Sequence, residues 1–177
     1  MSTVKVAAAQ LGPASPDKAE TISRIVALID EAGGKGAQLV VFPELALSPY
    51  FAARVRDDAV SFAETSFPSQ ETAPIIEAIR RNNITTVIPF AEATPEGLYN
   101  SAALLDGSGH ELGRYRKMHI PGTVEPVPDK PRGGLEKRYF LQGNLGFPAY
   151  ISPVGEIGMA ICYDRRFPET FRCSYSA

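Results

Sequence analysis

Apolar residues fall into two kinds of run along this chain. Val4 to Gln10 (Val-Lys-Val-Ala-Ala-Ala-Gln) reads as a buried first strand, ended by Gly12-Pro13. Ile22, Ile25, Val26, Ile29 and Ala32 then recur at helical spacing. That helix opens at Ser15-Pro16-Asp17, with a capping hydroxyl, a proline in the first turn and an acid at the positive dipole end, and Gly33-Gly34 stops it. Ala37 to Glu44 is a second, almost uninterrupted apolar strand. Strand, helix and strand in this order predict a βαβ unit whose sheet is covered by helices.

A helical connection is expected past Phe51 and Phe62 to Pro68, then a helix from Thr72 to Asn83 with Ile75, Ile76 and Ile79 inward. Three β-like runs follow, Ile84–Ala93, Leu98–Asp106 and Glu111–Met118, divided by Pro95-Glu96-Gly97 and Gly107-Ser108-Gly109. Turns this short join antiparallel neighbours, so the sheet is expected to be mixed. From Pro121 to Phe147 the chain is poor in apolar residues and carries Pro121, Pro126, Pro128, Pro131, Gly133, Gly134, Lys130, Arg132, Lys137 and Arg138. A loop of that length inside a domain is functional or disordered. Tyr150–Pro153 and Glu156–Cys162 predict a hairpin around Val154-Gly155. The second run ends at a cysteine, followed by a charged turn and by Pro168, which is placed to open a helix.

Composition narrows the function classes. The 177 residues are 44% hydrophobic and 21% charged with net charge −2, as expected of one soluble domain with a real core. That balance offers no electrostatic reason to expect nucleic acid or an anionic membrane as partner. No apolar run approaches the roughly 20 residues needed to span a bilayer, and Met1-Ser2-Thr3-Val4-Lys5-Val6 lacks the layout of a signal peptide. Two cysteines make no disulfide framework, so a reducing cytoplasm is expected and a Cys162–Cys173 bridge has little to recommend it. Cys162, Cys173, His110 and His119 lack the paired spacing of a zinc site.

Three ionisable residues stand where a β-run gives way to a turn: Glu44, Lys117 and Cys162. A thiol at a strand-to-helix turn lies near a helix N-terminus, which favours the thiolate; the plain alternative is a small apolar residue closing a core strand. Glu44, after four apolar residues and Pro43, sits at the rim of the core as a desolvated base or as a solvated loop acid. On an alternating strand Tyr115, Lys117 and His119 share a face, and a lysine brought to a cleft can hold an oxyanion, although such runs are more often solvated edges. His119 backs the site from behind or is a satisfied structural histidine, the latter being favoured. Arg165 and Arg166 are suited to grip a carboxylate or another anion. A thiol, a carboxylate and an ammonium together form an acyl-transfer set without a histidine, but spacing does not show that they converge.

Phe42-Pro43-Glu44, Tyr115-Arg116-Lys117-Met118-His119-Ile120-Pro121-Gly122 and Ile161-Cys162-Tyr163-Asp164-Arg165-Arg166-Phe167-Pro168-Glu169 resemble, in order and spacing, the three signature segments of the nitrilase (carbon-nitrogen hydrolase) superfamily. The resemblance covers residues 4–172. Gly134 to Phe140, Gly143 to Pro148 and the Arg165-Arg166 pair are most similar to N-carbamoyl-D-amino-acid amidohydrolases. It implies a four-layer αββα sandwich, a homo-oligomer when full length, no cofactor and no metal. Glu44 is then the general base, Lys117 the oxyanion stabiliser and Cys162 the nucleophile. Glu136 helps position substrate and lysine, and Arg165 and Arg166 meet the substrate carboxylate. The activity implied is hydrolysis of the carbamoyl C–N bond of an N-carbamoyl amino acid, of the D series, to amino acid, ammonia and carbon dioxide.

Two positions depart from those enzymes: Tyr163 stands where they carry asparagine and Gly134 where they carry histidine. Tyr-Asp after the cysteine is common in the ureidopropionase-like and N-carbamoylputrescine amidase types, which are the alternative reading. The helix after Pro168 has barely begun at Ala177, so residues 1–177 are expected to be a hydrolase domain with its C-terminal part absent, and an inactive truncated fragment is the rival of another class.

Overall fold

The computed structural model describes residues 3–13, 15, 17–128 and 134–175. Its centre is a five-stranded mixed sheet, β1 (Val6–Ala8), β2 (Leu39–Val41), β3 (Thr85–Thr94), β4 (Gly97–Leu105) and β5 (Glu111–Arg116), in that spatial order. β1, β2 and β3 run parallel, and β3, β4 and β5 alternate, as the two short turns require. The helices α1 (Lys18–Gly34) and α2 (Ala73–Asn82) lie on one face. Ile22, Ile25 and Ile29 of α1 and Ile75 and Ile79 of α2 pack there with Val40, Ile88, Phe90, Ala103 and Leu105. α2 closes as Asn82-Asn83 predicts: Asn83 adopts the left-handed conformation at φ 47°, and its N–H returns to the last carbonyls.

Alternation divides β4 between two cores. Ala103 and Leu105 face the helices, whereas Ala102 and Leu104 join Val87, Tyr115, Met159 and Ile161 on the opposite face. That second core is roofed by a hairpin of β6 (Ala149–Ser152) and β7 (Gly155–Gly158), which forms a sheet of its own. Helices, large sheet and hairpin are therefore stacked in sequence, and α4 (Pro168–Tyr175) follows against β7, where Ser174 lies under Gly158.

On the helix face, where β4 and β5 pass beyond α1 and α2, Glu92 accepts hydrogen bonds from Ser101, Arg114 and Arg116. Burial alone would raise its pKa, but the two guanidiniums and the hydroxyl overcome it and hold the carboxyl at about 2.

Several predicted elements differ from those observed. The first strand is short and not buried: Val6 is 56% exposed, because β1 is a sheet edge covered by helices on one face only. Asp17, not Ser15, caps α1, its carboxylate accepting the Ala19 N–H, while Ser15 receives the Asp17 N–H; Pro16 lies outside the described residues. α1 runs through Gly33 and Gly34 and ends at Lys35. The connection past Phe51 and Phe62 is two 3-10 turns, Phe51–Ala53 and Ala59–Phe62. Of the run 37–44 only Leu39–Val41 pairs as a strand. β7 stops at Gly158, where its pairing with β6 runs out, and residues 159–161 leave the sheet. The long segment is neither plain loop nor disorder throughout, since it holds the helical turn α3 (Glu136–Tyr139); Lys130, Pro131, Arg132 and Gly133 lie outside the described residues, as do Ser176 and Ala177.

Candidate active site

Three separate turns bring the ionisable residues together. Glu44 follows β2, and the next residue, Leu45, is left-handed at φ 53°, which turns the chain away and leaves the carboxylate at the end of the sheet. Lys117 is the first residue past β5, pinned by its own backbone: its N–H donates to Asn100 O at 2.8 Å, and its carbonyl receives the Gly143 N–H at 2.9 Å. That approach requires a glycine, because a Cβ at position 143 would come 2.1 Å from Arg116 O. Glu136 opens α3 and is 1% exposed.

Lys117 is wholly buried, and its ammonium donates to Glu44 Oε1 at 2.6 Å and to Glu136 Oε2 at 2.7 Å. Burial works against the charge, but the two carboxylates more than offset it and raise the lysine above its ordinary pKa, so Lys117 stays an ammonium. With two of three N–H groups engaged, the third can meet a ligand oxygen. Glu44 Oε1 also accepts from Asn100 Nδ2 at 2.7 Å, and Glu136 Oε1 accepts from the Tyr50 hydroxyl at 2.6 Å. Burial of that hydroxyl and the neighbouring carboxylates push the Tyr50 phenol far above its usual range, so it remains a donor.

Cys162 begins a 3-10 turn, Cys162–Arg166, and is itself left-handed at φ 48°. A side chain with a Cβ rarely takes that conformation, and such residues cluster at functional sites. Its thiol feels the Glu44 carboxylate, which shares a cavity with it. Glu44 and Cys162 together line a cavity of about 400 Å³ between β2 and β3 and the segment 157–161. The expected thiolate is not favoured in the resting site. Cys162 is exposed as a residue, yet the walls around its sulfur desolvate it and push the thiol up; Glu44 and Glu136 push the same way, and Lys117 opposes them without prevailing. Nor does a helix begin at the cysteine, since α4 starts six positions later.

The turn is held from behind by Asp164, which is fully buried. Its Oδ2 accepts from Ile161 N–H at 3.0 Å and from the Tyr115 hydroxyl at 2.7 Å. Its Oδ1 accepts from the His119 N–H at 2.9 Å and lies 2.7 Å from His119 Nδ1. His119 thus stands on Asp164 behind the Cys162 turn, with its ring stacked on Phe167 at 3.7 Å. Tyr115, Lys117 and His119 lie off one side of the strand and Arg114 and Arg116 off the other, as alternation predicts, but Met118, expected beside the arginines, packs against the cluster that holds Tyr115, because the strand ends at Arg116. Arg165 and Arg166 share the turn of Cys162 but are exposed and stand outside the Glu44–Lys117–Glu136 cluster; Arg166 lies over the Tyr163 ring at 5.8 Å.

Four contributors escaped sequence reading. Asn100 had a legible signal, a polar residue in the apolar run Leu98–Leu105, where a buried amide needs a reason. Asp164 and Tyr115 were visible as letters of a motif without a role. Tyr50 had no signal at all.

A thiol, two carboxylates and an ammonium converging at the end of a sheet make up what acyl transfer from a C–N bond needs. Residues 5–177 match the carbon-nitrogen hydrolase family. The chain belongs to that family. Among relatives of this family, citrullinase of Francisella tularensis is 31% identical over 97% of this chain and 57% of its own length. N-carbamoylputrescine amidase of Oryza sativa is 37% identical over 97% of this chain and 54% of its own. The crystal structure of a carbon-nitrogen hydrolase from Helicobacter pylori superimposes with a TM-score of 0.82 at 26% identity, over 97% of this chain and 55% of that one. The chain thus spans about half the length of the carbon-nitrogen hydrolases it matches.

Proposed function

We propose that the chain carries the catalytic residues of a hydrolase that cleaves the C–N bond of a terminal ureido group on an aliphatic chain. The observation that carries this reading is the contact of Lys117 with both Glu44 and Glu136, with Cys162 lining the same cavity as Glu44. Cys162 attacks the ureido carbonyl as its proton passes to Glu44, which answers the raised thiol pKa by removing the proton only as the C–S bond forms. The carbonyl oxygen becomes an oxyanion facing the third N–H of Lys117. The tetrahedral adduct collapses by breaking the C–N bond, and Glu44 returns its proton to the departing ammonia. Water, deprotonated by Glu44, then attacks the S-carbamoyl carbon and releases the thiol and an N-substituted carbamate, which loses carbon dioxide to leave the amine. Glu136, braced by Tyr50, fixes the ammonium from its other side.

Relatives named for N-carbamoylputrescine and citrulline support the ureido group as the target and favour the alternative reading over the D-amino-acid one. Arg165 and Arg166 remain the proposed partners of a substrate carboxylate. The test is ammonia release from a panel of N-carbamoylputrescine, citrulline, N-carbamoyl D- and L-amino acids, 3-ureidopropionate, an aliphatic amide and a nitrile. Turnover of the ureido compounds, abolished by Cys162→Ala, is expected; turnover confined to amides or nitriles, or unchanged in the variant, refutes the proposal.

A further inference from the structure

The carboxylate of Asp164 gathers hydrogen bonds from two parts of the chain that are distant in sequence and otherwise meet through Tyr115 against Ile161 and His119 against Phe167. One part is the nucleophile turn itself. Asp164 is two residues past Cys162, and its Oδ2 takes the N–H of Ile161, the residue just before the cysteine, so one side chain brackets Cys162 on both sides. The other part is the end of β5. Tyr115 and His119 stand two residues before and two after Lys117, and both reach the same carboxylate, His119 with backbone and ring. The group is wholly buried and has its acceptor capacity filled by four contacts of 2.7 to 3.0 Å. It fits none of the roles of base, nucleophile or oxyanion donor. Cys162 meanwhile sits at φ 48°, a backbone state that a non-glycine residue keeps only where its surroundings enforce it.

We propose that Asp164 is a positioning residue that clamps the Cys162 turn to the Lys117 segment and thereby sets where the sulfur stands relative to Glu44 and the ammonium. The proposal rests on the catalytic reading above. Its consequence is specific. The groups facing Cys162 are Glu44, Glu136, Lys117 and Tyr50, and those facing Asp164 are Tyr115 and His119. Loosening the clamp lets the thiol drift from Glu44. Turnover then falls while the thiol becomes easier to ionise; because an unfolded chain would also release the thiol, both are read on variants whose far-ultraviolet circular dichroism and urea midpoint show them folded under the assay conditions.

The test uses Asp164→Asn, which keeps the shape but offers one acceptor oxygen to donors that had two. Tyr115→Phe is the milder variant, removing one donor to Asp164 together with the acceptor of the Met118 N–H. Two measurements are made on each: kcat and KM on the best ureido substrate, and the rate of Cys162 alkylation by iodoacetamide against pH, with Cys173→Ser as background. A displacement on the order of 1 Å costs about a hundredfold in rate, so kcat is expected to fall about that much in Asp164→Asn and about tenfold in Tyr115→Phe. KM should stay within about threefold, and the alkylation midpoint should move to lower pH in both. Retained kcat, a loss carried by KM, or an alkylation profile superimposable on the parent's would each overturn the proposal. If Asp164→Asn does not fold, Tyr115→Phe decides on the same criteria. If no ureido compound is turned over, the reading above fails separately and the alkylation profiles alone decide this one.

Discussion

Lys117 is the residue whose removal tests the site most directly. Lys117→Met keeps the stem and deletes the charge, leaving Glu44 and Glu136 with their anchoring oxygens facing a methyl group. Two ammonium–carboxylate hydrogen bonds of 2.6 and 2.7 Å disappear from a position with no solvent exposure. Hydrogen bonds to charged groups contribute about 1.5–3 kcal/mol each, and removing one partner of a buried ion pair costs about 3–5 kcal/mol because the other charge is stranded. A loss of about 3–5 kcal/mol is expected, or roughly 6–20 °C in Tm for a domain of this size. The two carboxylates are not equivalent: the Glu136 side chain is 2% exposed and that of Glu44 18%, so water can relieve Glu44 but not Glu136. Adding Glu136→Gln to Lys117→Met should therefore recover more stability than adding Glu44→Gln. Urea denaturation followed by far-ultraviolet circular dichroism at neutral pH measures all four proteins. A single variant within about 1 kcal/mol of the parent, the spread of ordinary surface changes, would refute the buried ion cluster, as would better rescue by Glu44→Gln.

Two further outcomes follow from the charges. Because Glu44 helps hold the Cys162 thiol above its ordinary pKa, Glu44→Gln should move the pH midpoint of Cys162 alkylation downward while abolishing turnover; an unmoved midpoint would separate the two side chains. Glu92, at about 2 in the folded chain, contributes stability that is complete above the ordinary carboxyl value and fades as pH falls toward 2. Glu92→Gln should cost about 3 kcal/mol near neutral pH by removing the carboxylate that pairs Arg116, and that Arg114 shares with Glu111, with the gap to the parent closing on acidification; a gap independent of pH would show that the ion network is not its source.

The sequence by itself determined the order of elements, the mixed sheet and the placing of Glu44, Lys117 and Cys162 at the ends of apolar runs. Each of these is encoded locally. Isoleucines at helical spacing make α1 and α2, Asn83 ends α2 because it tolerates a left-handed backbone, and a charged residue after an apolar run must emerge at a strand end. Tertiary structure decided what depends on neighbours distant in the chain. Val6 has the composition of a core strand, but exposure is set by what lies above it, and β1 is covered on one face only. The thiol of Cys162 is raised, not lowered, because its surroundings desolvate it and a carboxylate 118 positions earlier in the chain stands near it, and together these outweigh the local turn. Asn100, Tyr50 and Asp164 acquire their parts only through contacts made across the fold, to Glu44, Glu136 and His119. Glu44, Lys117 and Cys162 could be singled out along the chain, while the hydrogen bonds that Asn100, Tyr50 and Asp164 make to the site could not, because a bond between distant segments leaves no periodicity behind.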